Sequence, residues 1–455
     1  MKTDLIVIGG GPGGYLAAER AAQGGMSVKL FEEASLGGVC LNEGCIPSKA
    51  LLHSAKVYDY ALFGEAYGVK SQGVTFDMGA VVKRKDKVVR TLVAGVRSAL
   101  KSNGVEVILK RASIVGKTQD GFAVEADGER YVADRLLIAS GSKPAIPPIT
   151  GLREGMDRGF VLTNREVLNL SEPPANFVVI GGGVIGLEMA SYYRSAGSAV
   201  TVIEMLENIA GQTESEIASL LLKEYQKKGV VFKLGAKVVE VVDGGLIIEI
   251  AGERERIEAD VVLLSAGRKP VIDGLGLETL DVKTERGAIV TDTHMRTNIK
   301  NVYAVGDCNG KSMLAHTAYR EAEVAVNHML NNPDCMRYSA VPAVIYTNPE
   351  VACVGETEES ALEKGIQVKV VKLSMRYSGR YVAENADGNG IFKLIVHEKE
   401  NRVLGVHMIG SYASEIIPTA SLMIESRAPV KDLQKLVFPH PTVSEILREA
   451  LFAVN

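Results

Sequence analysis

The chain has 455 residues, a length that suggests roughly three domains at about 150 residues each. Apolar residues account for 46% of it and 47 positions are glycine, a composition typical of an α/β enzyme, while the small formal net charge of -4 argues against nucleic acid as a partner. No apolar run reaches bilayer length, and a strand-like run starts within a few residues of Met1, so we expect no membrane span, signal peptide or transit peptide.

A glycine-rich turn separates a strand-like run at residues 5–8 from a helical pattern at 15–24. A second strand, at residues 27–31, leads directly to Glu32. Binding of a dinucleotide requires this order of strand, Gly-x-Gly-x-x-Gly, helix, strand and acid. The first glycine makes the tight turn, the second lets the backbone approach a pyrophosphate, the third allows close helix packing, and the acid accepts hydrogen bonds from a ribose. The three glycines are Gly9, Gly11 and Gly14.

Cys40 and Cys45 stand close together in the stretch Gly-Gly-Val-Cys-Leu-Asn-Glu-Gly-Cys-Ile-Pro-Ser-Lys at residues 37–49. A disulfide across so short a loop is relatively easy to reduce, which favours a redox role. Half of a zinc site and two unrelated buried thiols are the alternatives. Because zinc typically needs a second ligand pair and the other cysteines lie far downstream, we expect no metal. A helix predicted over 47–60 starts just after Cys45, and a helix N-terminus stabilises a thiolate.

The absence of an export signal also bears on these cysteines. A chain with five cysteines and no such signal is expected in the cytoplasm, where persistent disulfides are usually catalytic or redox-sensing. Further along, apolar residues recur at helical spacing over 77–101, and a strand is predicted at 105–108. A later strand-like run ends in Ala-Ser-Gly at Gly141, and three prolines within residues 144–148 then indicate a linker and the first domain boundary.

Residues 177–204 repeat the first module, with Glu204 as far from its first glycine as Glu32 is from Gly9. The run ending at Gly267 also echoes the run ending at Gly141. Two modules imply two dinucleotides. The glycines do not settle which module holds which cofactor. If the second module holds a nicotinamide dinucleotide, Glu204 would accept a hydrogen bond from a 2'-hydroxyl and repel a 2'-phosphate, which favours NAD over NADP. The glycines of the second module are Gly181, Gly183 and Gly186.

The last third of the chain holds a strand that ends in Gly-Asp at Asp307 and a helix predicted over 313–330. The segment Pro-His-Pro-Thr-Val-Ser-Glu at 439–445 follows near the C-terminus. A lone histidine is more often structural than catalytic, but Glu445 can orient the imidazole of His440 and raise its basicity. Two strands and a helix are predicted between these motifs, at 392–396, 403–408 and 413–426.

Together these motifs resemble those of the class I pyridine nucleotide-disulfide oxidoreductases, which are flavin-dependent, and the resemblance covers essentially the whole chain. It implies an α/β fold with two Rossmann-like dinucleotide-binding domains, one for FAD and one for NAD, and a C-terminal α+β interface domain. The implied segments are FAD-binding at 1–145 and 269–338, NAD-binding at 146–268, and interface or dimerisation at 339–455.

The resemblance also implies roles for single residues. Cys45 would face the flavin, Cys40 would exchange with substrate, and His440 with Glu445 would be the base that reaches the disulfide of the other subunit, so that a homodimer is required. Lys49 would sit beside the flavin; from the sequence alone it is equally an ordinary surface lysine. The other implied FAD contacts are Ala112, Gly141, Asp307 and Ala315, and the implied NAD contacts are Glu188, Val238 and Gly267.

Within the family the match is best to the branch that oxidises protein-bound dihydrolipoamide with NAD. Its partners would be lipoyl proteins of a 2-oxo acid dehydrogenase, acetoin or glycine cleavage complex. From its position alone, Glu188 is equally an exposed helix residue. The family commonly has threonine where this chain has Ser140 and Ala266, and histidine is frequent at Asn348; these departures leave cofactor contacts and partner choice open.

Other reactions within the family are the nearest alternatives. A glutathione-type, NADPH-dependent reductase would need basic residues after the second ribose strand, where this chain has Met-Leu-Glu at 205–207. Mercuric and the larger thioredoxin reductases would add a C-terminal cysteine pair, and soluble transhydrogenase lacks the pair at Cys40 and Cys45. A redox-sensing flavoprotein that does not turn over is an alternative of a different class.

Overall fold

The computed structural model describes residues 3–386 and 388–454. The chain divides into two compact units, each assembled from three stretches of sequence. The first unit comprises Met1–Ala50, Val82–Ala145 and Gly267–Arg337, and the second comprises Leu51–Val81, Ile146–Ala266 and Tyr338–Asn455. The four segments predicted above remain a prediction. Within the described ranges, no helix combines the length and apolar character that crossing a membrane requires.

The strands are numbered in chain order. They are β1 (Thr3–Ile8), β2 (Val28–Phe31), β3 (Glu106–Ile108), β4 (Ser113–Thr118), β5 (Gly121–Ala126), β6 (Glu129–Ile138), β7 (Ser142–Pro144), β8 (Val161–Leu162), β9 (Asn176–Ile180), β10 (Ala199–Ile203), β11 (Val231–Lys233), β12 (Ala236–Val242), β13 (Gly245–Ile250), β14 (Glu253–Glu258), β15 (Val261–Leu264), β16 (Arg268–Pro270), β17 (Thr284–Glu285), β18 (Ala288–Ile289), β19 (Val302–Ala304), β20 (Ala343–Ile345), β21 (Val351–Gly355), β22 (Val368–Ser374), β23 (Ile391–His397) and β24 (Val403–Ile409).

The α-helices are numbered in the same way, and short 3-10 turns occur between some of them. The helices are α1 (Pro12–Gln23), α2 (Gly38–Glu43), α3 (Cys45–Leu62), α4 (Met78–Ser102), α5 (Leu152–Asp157), α6 (Asn164–Val167), α7 (Val184–Ser195), α8 (Ser215–Lys227), α9 (Ala315–Met329), α10 (Glu358–Glu363), α11 (Gly379–Glu384), α12 (Ala413–Ser426), α13 (Val430–Leu433) and α14 (Glu445–Phe452). The 3-10 turns are Gly64–Tyr67, Leu277–Leu280, Gly306–Asn309 and Met375–Tyr377.

The first unit is built on a sheet in the order β3-β2-β1-β6-β5-β4, with β19 also paired to β6. Strands β3, β2, β1, β6 and β19 run parallel, whereas β5 and β4 are antiparallel. Leu5, Ile6 and Val7 of β1 are fully buried, because a central parallel strand is covered on both faces. This explains why the sequence shows a continuous apolar run there and not an alternating one.

The second unit contains a five-stranded parallel sheet in the order β11-β10-β9-β15-β8 and a three-stranded antiparallel sheet, β12-β13-β14. Its C-terminal part is a five-stranded antiparallel sheet, β20-β21-β24-β23-β22, whose core includes apolar residues of α12 and α14. Two parallel, helix-linked modules and a C-terminal α+β sheet are thus present, and the predicted fold class is confirmed.

Two element boundaries near the cysteine motif differ from the prediction. The helix predicted over 47–60 extends over Cys45–Leu62, so Cys45 is its first residue. Cys40 lies in a separate six-residue helix, α2, that the sequence did not indicate. The chain enters α2 through Gly37, whose φ of 91° is in the left-handed region that glycine adopts without strain. A six-residue helix is too short for a recognisable apolar period.

Candidate active site

Each glycine turn places a helix N-terminus beside the end of a parallel strand. Gly11 caps α1 and Gly183 caps α7, and neither helix receives a side-chain cap. A Cβ on Gly14 would lie 1.8 Å from the carbonyl oxygen of Gly9, and one on Gly186 only 2.1 Å from that of Gly181. Only glycine permits this close approach. The first backbone N–H groups of each helix have no partner within the helix and can bind an anionic group such as a pyrophosphate.

Several glycines that are predicted to contact a cofactor have open space beside their Cα atoms. A Cβ on Gly141, Gly183 or Gly267 would meet no atom within 4 Å, and the nearest atom to one on Gly11 would be 3.9 Å away. Gly141 and Gly267 also have φ angles of 72° and 104°, where other residues are strained. Residues with no side chain, beside room for a ligand, fit the binding of two dinucleotides.

The two acids that follow the second strand of each module make matching hydrogen bonds. The Gly10 N–H donates to Glu32 Oε2 at 2.7 Å, and the Gly182 N–H donates to Glu204 Oε2 at 2.7 Å. The second oxygen of Glu204 accepts from the Leu206 N–H at 2.8 Å. These backbone donors fix each carboxylate in place while lone pairs remain for ribose hydroxyls. The residues after Glu204, Met-Leu-Glu, bring no cation to this position.

The predicted redox cysteines are in contact, and both are thiols in this structure. Cys40 on α2 and Cys45 at the start of α3 share a hydrogen bond, which together with burial raises the pKa of the Cys40 thiol. The Lys49 ammonium, one turn into α3, lowers that pKa. Lys49 thus lies within electrostatic reach of the dithiol, and its place beside the flavin stays a prediction. Two thiols at this separation can close a disulfide.

Asp307 is held by a side chain that the sequence did not single out. Ser142 donates its hydroxyl hydrogen bond to the Asp307 carboxylate. Arg268 donates in turn from Nε to Ser142 Oγ and from Nη2 to the Ser142 carbonyl, both at 2.7 Å. Burial lowers the pKa of Arg268, and the charges of Asp307, Glu43 and Cys45 oppose that shift. The three residues form a clamp that fixes the orientation of the Asp307 carboxylate.

A signal for this clamp is present in the internal repeat. Ser142 directly follows Gly141, and Arg268 directly follows Gly267, the two glycines that end the echoed runs. The strands that start at these residues, β7 and β16, pair antiparallel. Ser142 and Arg268, which each lie one position past the glycine that ends a repeated run, therefore meet. Only the tertiary structure shows that the two repeated runs are neighbours.

The turn that carries Asp307 is anchored by α9. Glu321 of α9 accepts from the Gly306 N–H at 2.6 Å and from Asn309 Nδ2 at 2.9 Å. The helix starts at Ala315, two residues later than predicted, and no side chain caps its N-terminus. The positive end of the helix dipole at this N-terminus favours negative charge. The remaining predicted FAD contact, Ala112, is buried immediately before β4.

In the second unit, Glu188 is buried and is not an exposed helix residue. Only 3% of its surface is exposed, and its Oε1 accepts from the Tyr346 N–H at 3.1 Å. Tyr346 lies far along the chain, in the stretch after β20, so no sequence signal pointed to this contact. Val238, the other predicted NAD contact here, is a buried residue of β12.

His440 and Glu445 form the pair that the sequence predicted. His440 Nδ1 and Glu445 Oε1 are 2.9 Å apart, and the Thr442 N–H donates to Glu445 Oε2 at 2.8 Å. That backbone bond, followed by the bond with His440, lowers the pKa of the Glu445 carboxyl. An ionised Glu445 holds the proton on Nδ1, which leaves Nε2 as the basic nitrogen. The His440 side chain is 79% exposed.

A resident metal was not expected. Among the described residues, no group of three or more His, Cys, Asp or Glu side chains has a geometry that could hold a metal ion.

Family models and relatives with known names match nearly the whole chain. The pyridine nucleotide-disulphide oxidoreductase model matches residues 3–322, and the dimerisation-domain model of the same family matches residues 341–451. A dihydrolipoyl dehydrogenase of Chlamydia muridarum is 38% identical over 99% of this chain and 97% of its own length. One of Geobacillus stearothermophilus is 38% identical over 99% and 96%. The solved structure of LpdA from Mycobacterium tuberculosis has a TM-score of 0.91 at 25% identity, covering 99% of this chain and 100% of that one.

Proposed function

Because the chain belongs to the pyridine nucleotide-disulphide oxidoreductase family, we propose that it is an NAD-dependent dihydrolipoyl dehydrogenase, which oxidises protein-bound dihydrolipoamide to lipoamide. The observation that carries the chemistry is the contact between Cys40 and Cys45 at the N-terminus of α3. The substrate is argued from the relatives of that name, which are 35% to 39% identical over 99% of the chain.

Both cofactors of the family have residues that fit them. The first unit would hold FAD through the backbone at Gly11, the carboxylate of Glu32 and the clamped carboxylate of Asp307. The second unit would hold NAD through the backbone at Gly183 and the carboxylate of Glu204. Bound FAD supplies the electron carrier between the thiol chemistry and NAD.

The thiols exchange in two steps that we assign to named atoms. His440 of the other subunit takes the proton from one substrate thiol, and the resulting thiolate attacks the sulfur of Cys40 in the Cys40–Cys45 disulfide. Cys45 leaves as a thiolate, which the N-terminus of α3 stabilises. The second substrate sulfur, after losing its proton, attacks the first and closes the lipoamide ring, and Cys40 is released. Two electrons pass from substrate to the cysteine pair, and two protons leave through His440.

The contacts of Glu204 favour NAD over NADP. The carboxylate is fixed by two backbone N–H groups, and no cation follows it in the sequence, so a 2'-phosphate would meet negative charge without compensation. The same arrangement disfavours a glutathione-type, NADPH-dependent reductase.

The match to a dimerisation domain supports a homodimer, and relatives named dihydrolipoyl dehydrogenase support a lipoyl protein as partner. The predicted source of that lipoyl protein is a 2-oxo acid dehydrogenase, acetoin or glycine cleavage complex. The cytoplasmic location remains a prediction.

The decisive experiment measures NADH formation from dihydrolipoamide and NAD by the FAD-loaded protein, beside NADPH-dependent reduction of glutathione disulfide. We expect turnover in the first assay only. Cys45→Ser should abolish it, because no disulfide can form, whereas Cys335→Ser, at an exposed cysteine outside the site, should turn over like the parent protein.

The other outcomes separate the alternatives. Activity in the glutathione assay alone would mean that Glu204 does not select NAD. No turnover in either assay, together with a cysteine pair that is reduced only once, would favour the redox sensor. Full turnover by Cys45→Ser would remove the cysteine pair from the mechanism.

A further inference from the structure

Tyr15 and Tyr319 form a hydrogen-bonded pair that the thiol chemistry above does not use. Tyr15 lies in the first turn of α1 and Tyr319 in the second turn of α9. Their hydroxyls share a hydrogen bond, and their rings meet edge to face, with centroids 5.9 Å apart and planes inclined by 64°. Both side chains are half-buried. Two hydroxyls that share one hydrogen bond retain one O–H for a further acceptor.

Three segments meet at the N-terminal end of α1. A Cβ on Gly13 would lie 3.6 Å from the Cβ of Ala318, so α1 and α9 approach closely just before the two tyrosines. The loop that leads to the redox cysteines attaches to the same place, since the Gly37 N–H donates to the Gly10 carbonyl at 2.8 Å. The N-terminal end of α1, whose first turn holds Tyr15, therefore lies beside the start of α2, the helix that carries Cys40.

The electrostatics of the pair agree with this placement. Burial, followed by the bond to Tyr319, raises the pKa of Tyr15, and negative charge on Cys40 or Cys45 raises it further. Burial likewise raises the pKa of Tyr319, the hydrogen bond with Tyr15 lowers that pKa, and negative charge on Cys40 or Cys45 raises it. Both phenols therefore keep their protons near neutral pH, and a protonated phenol near a thiolate is a hydrogen-bond donor.

We propose that Tyr15 and Tyr319 are positioning residues for the redox cysteines: the hydrogen bond between their hydroxyls orients both phenols, and the pair stabilises the thiolate that appears when the Cys40–Cys45 disulfide is reduced. This inference rests on the proposed redox role of that pair. On reduction, two electrons enter the S–S bond, the bond breaks, and at least one sulfur carries negative charge. The tyrosines neither gain nor lose a proton; the O–H that their shared bond leaves unused is the donor available to the charged sulfur.

The test is a pH titration of thiolate reactivity in the FAD-loaded protein. The disulfide is reduced with a chemical reductant, iodoacetamide is added at a series of pH values, and mass spectrometry measures alkylation of Cys40 and Cys45. We expect Tyr319→Phe and Tyr15→Phe each to shift the midpoint of the rate profile upward by about one pH unit, which is about tenfold less thiolate below the midpoint. Because the two hydroxyls act as one hydrogen-bonded unit, the double variant should shift no further than either single variant.

Tyr303→Phe is the matched control. Tyr303 lies in the same unit on β19, and its hydroxyl bonds to His328 Nδ1 at 2.9 Å, so the change also removes one bonded phenol hydroxyl. Its alkylation profile should coincide with that of the parent protein. Flavin content and thermal midpoint, measured for every variant, exclude a general loss of structure.

An unchanged midpoint in both Tyr319→Phe and Tyr15→Phe would overturn the proposal, as would an equal shift in Tyr303→Phe. The titration uses a chemical reductant, so it does not depend on the substrate. Shifted midpoints in a protein that does not turn over dihydrolipoamide would therefore retain the tyrosine pair and reject only the proposed substrate. Turnover of dihydrolipoamide with unshifted midpoints would retain the proposed substrate and reject the role of the tyrosine pair.

Discussion

Glu204 and Glu32 occupy equivalent positions in the two modules and accept the same kind of hydrogen bond from the glycine turn, at 2.7 Å in each case. A neutral amide in place of either carboxylate keeps the shape of the side chain and removes its charge. Because the proposed ligands of the two modules differ, the two substitutions should have different effects, and each serves as the control for the other.

We expect Glu204→Gln to raise the KM for NAD by about tenfold, because a hydrogen bond from the ribose to a charged acceptor is lost. The preference for NAD over NADP should fall by a similar factor, since the repulsion of the 2'-phosphate disappears. Steady-state kinetics with both nucleotides measure this. Glu32→Gln should instead weaken FAD retention and leave the nucleotide preference unchanged. An unaltered preference in Glu204→Gln would show that selectivity lies elsewhere.

At the scale of secondary-structure elements, a buried ion pair joins strand β23 to helix α8. Lys393 is 5% exposed, and its Nζ lies 2.6 Å from Oε1 of Glu214 and 3.2 Å from Oε2 of Glu358. Glu214 also caps α8, accepting from the Ile217 N–H at 3.0 Å. Breaking such a pair is costly because it leaves a buried charge without compensation.

Lys393→Met should therefore lower the free energy of unfolding by about 3–5 kcal/mol. The control is Lys372→Met on the neighbouring strand, directly opposite Lys393. Lys372 also forms an ion pair, with Glu216, but its side chain is 49% exposed, so the loss should stay below about 1 kcal/mol. Chemical denaturation of the FAD-loaded protein measures both values. Equal losses in the two variants would contradict the role assigned to burial.

At the scale of the whole molecule, the exposure of His440 bears on assembly. Its side chain is 79% exposed in the single chain, although its partner Glu445 is only 18% exposed. A base works best where its proton transfer is shielded from water, and a second copy of the chain would provide that shield. The proposed exchange chemistry accordingly pairs His440 of one subunit with Cys40 of the other.

Complementation between inactive variants tests this arrangement. Cys45→Ser and His440→Gln should each be inactive alone. In a mixed dimer, one site combines the intact cysteine pair of one subunit with the intact histidine of the other. Co-expression of the two variants should therefore restore about a quarter of the parental activity, since about half the dimers are mixed and each has one complete site. No recovery, with mixed dimers confirmed by differential tags, would place the base in the same chain as its cysteines.

The sequence by itself determined the features that depend on local spacing. The two glycine modules with their acids, the helix that follows Cys45, whose start the sequence put two residues late, and the adjacency of His440 and Glu445 all lie within short stretches, where backbone geometry follows from residue type and order. The fold class followed from the family resemblance that these motifs carry, and two repeats of strand, glycine turn, helix and strand agree with it.

Only the tertiary structure decided the contacts between residues distant in sequence. Ser142 meets Arg268 across 126 positions, Glu188 meets Tyr346 across 158, and Tyr15 meets Tyr319 across 304. The internal repeat marked Ser142 and Arg268 as equivalent positions, but spacing alone does not bring any of these pairs into contact, because each contact depends on how separate strands and helices are brought together by the burial of their apolar faces. Local chemistry therefore indicated which residues act, and packing decided which neighbours orient them.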